Sequence, residues 1–138
     1  MTKAPQSDAP FRFQLDLRSG VPVYRQIMDQ VLAGIASGRL ASGDQLPTVR
    51  QLAVDLQINP NTVIRAYREL EIRGFLDTHQ GSGTFIGTQR VEQNGEERQR
   101  KLDGIVSDLV ARAGAEGFTA QQLLERLQDL LAGQKRRN

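Results

Sequence analysis

The segment from Leu46 to Phe85 constrains the fold of this chain more than any other. Two short amphipathic stretches, each with a recognisable start, stand on either side of a very short turn. Thr48 and Gln51 have the Thr-x-x-Gln spacing of a capping box, in which side chains satisfy the unpaired amides of a helix start. A helix therefore begins after Pro47, with Val49, Leu52, Ala53 and Leu56 on its inner face. Gln57 and Ile58 are left to make the turn, and Ile58 is expected to plug the core there. The next helix opens with Asn59 as N-cap and Pro60 at the first helical position, where the missing amide hydrogen is no loss. It should end near Arg73, with Gly74 just beyond as the terminator. Phe75 to His79 and Thr84 to Ile86 then read as two short strands joined across Gln80-Gly81-Ser82-Gly83.

Side-chain direction divides the helix after Asn59 into two faces. At about 100° per residue, Val63, Ala66, Tyr67 and Leu70 fall on one side and face the preceding helix. Asn61, Arg65, Arg68 and Ile72 project from the other side, with Thr62 and Ile64 on the flanks. The polar members are types that read DNA. Arginine donates two hydrogen bonds to guanine O6 and N7, asparagine pairs with the adenine edge, and threonine offers a hydroxyl and a methyl. In a helix-turn-helix the N-terminal half of the second helix enters the major groove deepest, so Asn61, Thr62 and Arg65 are the candidate base readers. Arg68 lies further back and suits a phosphate, which positions without specifying. Free amides at the helix start attract phosphate as well. The competing interpretation is a solvated face, with Arg65, Glu69 and Arg73 at i, i+4 spacing forming ion pairs worth a few tenths of a kcal/mol. Asn61 and Thr62 would then merely start the helix. The capped preceding helix, the tight turn and the glycine-rich hairpin weigh against that interpretation.

Around this centre the chain is organised simply. Met1 to Pro10 is polar and reads as a loose arm. Phe11 to Leu17 alternates at period two, as a short strand or an extended lead-in would. After the Ser19-Gly20-Val21-Pro22 turn a first helix runs to about Ser37, with Ile27, Met28, Val31, Leu32 and Ile35 as its buried stripe and Gly38 as its cap. Ala41 to Asp44 reads as a loop, and Gly87 to Gly95 as a polar linker. A further helix, Glu96 to Glu116, carries Leu102, Ile105, Val106, Leu109, Val110 and Ala113, and Gly117 ends it. Thr119 and Gln122 form a second capping-box pattern. The last helix, Ala120 to Ala132, carries Leu123, Leu124, Leu127, Leu130 and Leu131. Gly133 is expected to stop it before a basic tail, Gln134 to Asn138. The expected fold is mainly α with a small β-hairpin wing (α+β). A winged helix-turn-helix spans residues 11–87 and a two-helix dimerisation segment spans 96–133. Two short helices cannot enclose a core alone, so Leu102, Ile105, Leu109, Leu123, Leu127 and Leu130 are expected to meet a second copy.

Other chemistries find little support. The net charge of +2 would not by itself point to nucleic acid, and between Asn59 and Thr84 the arginines are matched by Glu69, Glu71 and Asp77. There is no cysteine, which excludes disulfides and thiolate metal sites. One histidine without cysteine makes a poor transition-metal site, so no metal and no cofactor are expected, and His79 reads as a wing residue near the DNA backbone. Gly81-Ser82-Gly83-Thr84 lacks the Gly-Lys-Ser/Thr ending of a phosphate-binding loop. Ser107-Asp108 and Glu96-Glu97 have no partners suggesting catalysis, and no enzyme is expected. No apolar run approaches membrane-spanning length, and residues 1–10 lack the apolar core of a secretory signal. The cytoplasm is the expected compartment, without a membrane partner.

These residues closely resemble the winged helix-turn-helix of the GntR family of bacterial transcriptional regulators. Leu46-Pro47-Thr48-Val49-Arg50-Gln51-Leu52-Ala53 resembles the family signature Leu-Pro-Ser-x-Arg-x-Leu-Ala. Asn59-Pro60-Asn61-Thr62-Val63-Ile64-Arg65-Ala66-Tyr67 is similar to the form typical of the YtrA subfamily. Val21 to Ile27 resembles the family's opening helix, and Gly81 to Phe85 its wing. The resemblance covers about residues 13–86, and the two C-terminal helices suit YtrA-type regulators, whose short tails dimerise. It implies a homodimer on a specific double-stranded DNA operator, and pairing of the C-terminal helices across a two-fold axis would make that operator an inverted repeat. It further implies repression, often of a neighbouring transporter operon, and leaves a small-molecule effector unidentified. It also implies DNA contacts at Arg50, Asn61, Thr62 and Arg65 and in the wing near Gly81. With Asn59, Arg68 and His79 these make up the candidate DNA-contacting set. Many members have arginine where this chain has Pro60 and Ile64, so their base preferences do not transfer. Gln80 stands where related wings often carry a basic residue. The rival function is a winged-helix protein-interaction module whose Arg65 and Arg68 serve an acidic partner.

Overall fold

The computed structural model describes residues 11–88 and 95–137. The expected N-terminal arm, the middle of the expected linker (89–94) and the side chains of the basic tail lie outside the described residues. The chain divides into two compact units, Met1–Arg90 and Val91–Asn138.

In the first unit the order is α1 (Val23–Ser37), β1 (Gln45–Leu46), α2 (Val49–Leu56), α3 (Pro60–Ile72), β2 (Leu76–His79) and β3 (Gly83–Ile86). Pro22 precedes α1 as its N-cap, and Gly38 closes it in the left-handed conformation, φ 84°. Ile27, Met28 and Val31 are buried, while Leu32 and Ile35 pack half-buried at the edge of the stripe. The alternating segment ahead of α1 is extended but joins no strand. Its partners are two glutamine side chains of α1. Gln14 donates its amide to Gln30 Oε1 (2.8 Å) and accepts from Gln30 Nε2 (2.6 Å). Asp16 donates to Gln26 Oε1 (2.8 Å) and accepts from Gln26 Nε2 (2.9 Å). This leaves Phe13 buried and Phe11 packed beside it, ring edge to face at 5.0 Å.

Thr48 caps α2 by accepting from the Gln51 amide at 3.0 Å. The reciprocal half of the expected box is not the one used, because the Gln51 side chain reaches forward to Asp55 (2.8 Å). Gln57 ends α2 with φ 56°, the one non-glycine residue at positive φ among the described residues. The Ile58 amide then returns to the Ala53 carbonyl (3.0 Å), and Ile58 packs against the core as expected. Asn59 Oδ1 accepts from the Asn61 amide (2.8 Å), with Pro60 opening α3. All four residues assigned to the inner face of α3, Val63, Ala66, Tyr67 and Leu70, are buried. The Tyr67 hydroxyl donates to the Pro47 carbonyl at 2.7 Å and so fastens α3 to the entrance of α2. Phe75 falls outside β2 because its amide is drawn back to the Leu70 carbonyl (2.9 Å) to close α3.

The sheet holds three strands in the order β1-β3-β2, all antiparallel. In it Gln45 faces Phe85, Leu46 faces Thr84, and Leu76 faces Ile86. β1 corrects the expected two-stranded hairpin. Two residues are too few to leave an alternation in the sequence, and pairing with β3 alone defines them. The deepest side chains, Ile27, Val31, Val63, Leu70 and Leu76, come from α1, α3 and β2, so the core lies between the two longer helices and the sheet.

The second unit is a helical hairpin, α4 (Gly95–Ala115) and α5 (Ala120–Arg137). Gly117 turns the chain with φ 89°, and the Phe118 amide returns to the Ala113 carbonyl (2.9 Å). Here both halves of the capping box form: Gln122 donates its amide to Thr119 Oγ1 (3.1 Å), and Thr119 donates its own to Gln122 Oε1 (2.9 Å). Gly133 does not stop α5, which continues to Arg137. A glycine inside a helix costs only about 1 kcal/mol, and Gly133 keeps an ordinary negative φ. The architecture is a winged helix-turn-helix followed by a pair of helices. No helix among the described residues is long and apolar enough to cross a membrane.

Candidate nucleic-acid interface

The outer face of α3 is set by what its inner face buries. With Val63, Ala66, Tyr67 and Leu70 turned into the core, Asn61, Arg65 and Arg68 stand exposed, and Thr62 and Ile64 are half-buried on the flanks. Among the described residues no ion pair forms within α3, so the alternative of an Arg65–Glu69–Arg73 ladder is not what holds this face. Arg65 is held differently. Its guanidinium carbon lies 3.8 Å from the centre of the Tyr24 ring, on the second residue of α1. Asn59 is exposed at the N-cap, its side-chain oxygen engaged by the Asn61 amide. Arg50 is exposed on the first turn of α2.

The wing follows directly. His79, the last residue of β2, is exposed and sets its ring edge against Phe85 at 5.3 Å. The turn beyond it needs glycine twice: φ is 84° at Gly81 and 120° at Gly83. Gly83 is also crowded, since a Cβ there would lie 2.7 Å from Gln45 Nε2. That amide donates to the Ser82 carbonyl (3.0 Å), so the side chain of β1 straps the wing tip.

Arg50, Asn59, Asn61, Thr62, Arg65, Arg68, His79 and Gly81 thus all belong to α2, α3 and the wing of one unit. The dimerisation candidates belong to the other. Leu102, Ile105, Leu109, Leu127 and Leu130 are 40–64% exposed, and Leu123 is half-buried. Two supporting residues escape the sequence reading, Tyr24 and Gln45. Tyr24 lies far from Arg65 in the chain, and Gln45 acts through the unforeseen β1. One buried titratable group stands out behind the face: desolvation pushes the Tyr67 phenol well above its ordinary range. No cluster of potential metal ligands occurs among the described residues.

This geometry has close counterparts. The family model described as bacterial regulatory proteins, gntR family, matches residues 23–86, which run from the first residue of α1 to the last of β3. The HTH-type transcriptional repressor YtrA of Bacillus subtilis (strain 168) is 34% identical over 122 residues, covering 88% of this chain and 94% of that protein. The chain belongs to the gntR family. An uncharacterised HTH-type regulator of the same organism, YhcF, is 33% identical over 84% of this chain and 95% of its own length. Among solved structures, YtrA from Sulfolobus acidocaldarius, a GntR-family transcription factor, superposes with a TM-score of 0.53. It is 33% identical over 72% of this chain and 97% of that one. As a gntR-family protein of the YtrA kind, this chain is a transcriptional regulator and not an enzyme.

Proposed function

We propose that the chain is a homodimeric repressor that binds an inverted-repeat operator in double-stranded DNA. The observation that carries this reading is the outer face of α3, where Asn61, Arg65 and Arg68 stand exposed opposite a fully buried apolar face. In this reading residues 11–87 form the DNA-binding domain. Asn61, Thr62 and Arg65 meet base edges, while Arg50, Arg68, His79 and the amides around Gly81 meet backbone. The oxygen of Asn59 serves the helix, so its DNA contact falls to the amide nitrogen. Residues 96–133 supply the second copy's docking face: large apolar side chains at helical spacing, half exposed on two helices, need a partner surface. Two-fold pairing would set two α3 helices about one DNA turn, or a multiple of it, apart. A neighbouring transporter operon is the expected target, the cytoplasm the expected site of action, and an effector, if the protein takes one, has an unidentified chemistry.

Selection of duplexes from a random pool tests the reading, followed by anisotropy titration with nonspecific competitor across a salt series. The enriched site should be an inverted repeat. Binding should survive the competitor, and affinity should fall with salt as phosphate-bound counterions are released. Failure to enrich any sequence would favour an acidic protein partner.

A further inference from the structure

We infer that Tyr24 is a positioning residue for base reading by Arg65, an assignment that rests on the DNA-reading role of α3 proposed above. Tyr24 sits in the first turn of α1, half-buried and packed against the core, so its ring is held by the domain and not by DNA. The Arg65 guanidinium stacks on that ring at 3.8 Å, which is van der Waals contact. An arginine on an exposed helix face has two ways to be held. An ion pair with Glu69, one turn along α3, would occupy the N–H edge of the guanidinium. Stacking occupies only its flat π face. All five donors lie in the guanidinium plane, so a stacked arginine keeps its whole fork for a guanine edge. The structure uses the second way, and no ion pair within α3 competes for the fork among the described residues.

The stack therefore reduces the freedom Arg65 must lose on binding without consuming what it binds with. The stack is present in the free and the bound protein alike, so its own energy cancels from the affinity and only the cost of immobilising a long side chain remains, which amounts to about three- to tenfold. It should fall on sequence discrimination and spare the general attraction to phosphates.

The test uses the full-length chain and the duplex that the wild type selects from a random pool. Every base pair of one half-site is substituted in turn, and affinity is measured for the wild type, Tyr24→Phe, Tyr24→Leu, Arg65→Ala and the double variant Tyr24→Leu/Arg65→Ala. Tyr24→Phe keeps the ring and should match the wild type. Tyr24→Leu should lose about three- to tenfold on the selected site. Its loss of discrimination should fall at the base pair where Arg65→Ala also loses it, with nonspecific affinity unchanged. In the Arg65→Ala background Tyr24→Leu should add nothing. Wild-type discrimination by Tyr24→Leu, or an equal loss in the Arg65→Ala background, would overturn the assignment while leaving the regulator reading intact. A wild type that enriches no site would sink both. A readout independent of the variants' folding is the Arg65 Nε–H resonance of the free protein. It should show an upfield ring-current shift and restricted motion, and a mobile, unshifted resonance overturns the assignment.

Discussion

Replacing Tyr67 by phenylalanine removes one oxygen and changes nothing else in the packing, yet that oxygen makes the bond between α3 and the entrance of α2. The hydroxyl donates to the Pro47 carbonyl at 2.7 Å from a side chain only 6% exposed. Loss of a hydrogen bond of this kind costs about 1 kcal/mol, and a carbonyl left without its donor adds a desolvation penalty of about 1–3 kcal/mol when fully buried. Pro47 is half-buried, so water can replace part of the lost donor, and the total should come to about 1–2 kcal/mol. For a domain of this size the melting temperature should fall by about 5–15 °C. The phenol also carries a pH signature. Burial raises its pKa in the folded protein above the unfolded value of 10.0. The folded state therefore keeps its proton where the unfolded chain releases one. The contribution is intact below about pH 10 and is lost as pH rises from there towards the folded pKa. At about pH 11 the wild type should have lost about 1.4 kcal/mol from this group, and the phenylalanine variant none of it. Urea denaturation of both proteins at about pH 7.5 and pH 11 measures the difference directly, since other titrations are common to both. A variant within about 0.3 kcal/mol of wild type at neutral pH, or a gap that does not narrow at alkaline pH, would refute the reasoning.

Arg65→Ala and Asn61→Ala should each cost about 1–3 kcal/mol on the selected operator and relax base preference, whereas Arg68→Ala should weaken specific and nonspecific DNA alike; anisotropy titrations distinguish the two patterns. Changing Gly81 and Gly83 together to valine places β-branched residues at φ 84° and 120° and drives one Cβ into the Gln45 amide. Operator binding should fall while the circular dichroism of the helices stays unchanged, and normal affinity would show the wing to be dispensable. Leu109→Glu or Leu127→Glu should convert the proposed dimer into monomers by sedimentation and remove most operator affinity, because each half-site then binds alone. Gln57→Gly should raise stability by about 0.5–1 kcal/mol in thermal unfolding, since Gln57 occupies the left-handed region that glycine enters freely.

The parts of the fold governed by local chemistry were legible in the sequence. Asn59-Pro60 announced α3 because a cap and a pre-set φ act within a few bonds, and the buried face of α3 followed from helical spacing alone. What escaped was decided at a distance. β1 exists because β3 pairs with it, and nothing within Gln45-Leu46 records that pairing. Gln57 was readable as part of a turn but not as a left-handed cap, since the usual glycine is missing there. Gly133 misled in the opposite direction, because glycine permits a helix end without compelling one. The exposed face of α3 was legible as a set of residue types. How Arg65 is held was not, because its support comes from Tyr24 on a different helix, far away in the chain.

The pairing of Gln14 and Asp16 with Gln30 and Gln26 joins two different periodicities. Four residues of a helix advance about 6 Å, and two residues of an extended chain advance about 6.6 Å. Primary amides spaced i, i+4 on α1 therefore fall in step with every second peptide group of a chain running the opposite way. Each glutamine turns one N–H and its carbonyl oxygen to the segment, as a peptide group of a neighbouring strand would, and its second N–H remains for other acceptors such as the Val21 and Gln26 carbonyls. The helix thus serves as a substitute strand, and like a vernier it tolerates the small mismatch over two contacts but not over many. The extended segment consequently takes its register from α1, with no sheet to set it. Inserting one residue between Gln14 and Asp16 would let only one of the two glutamines keep its pairing and turn the side chains on one side of the break to the opposite face.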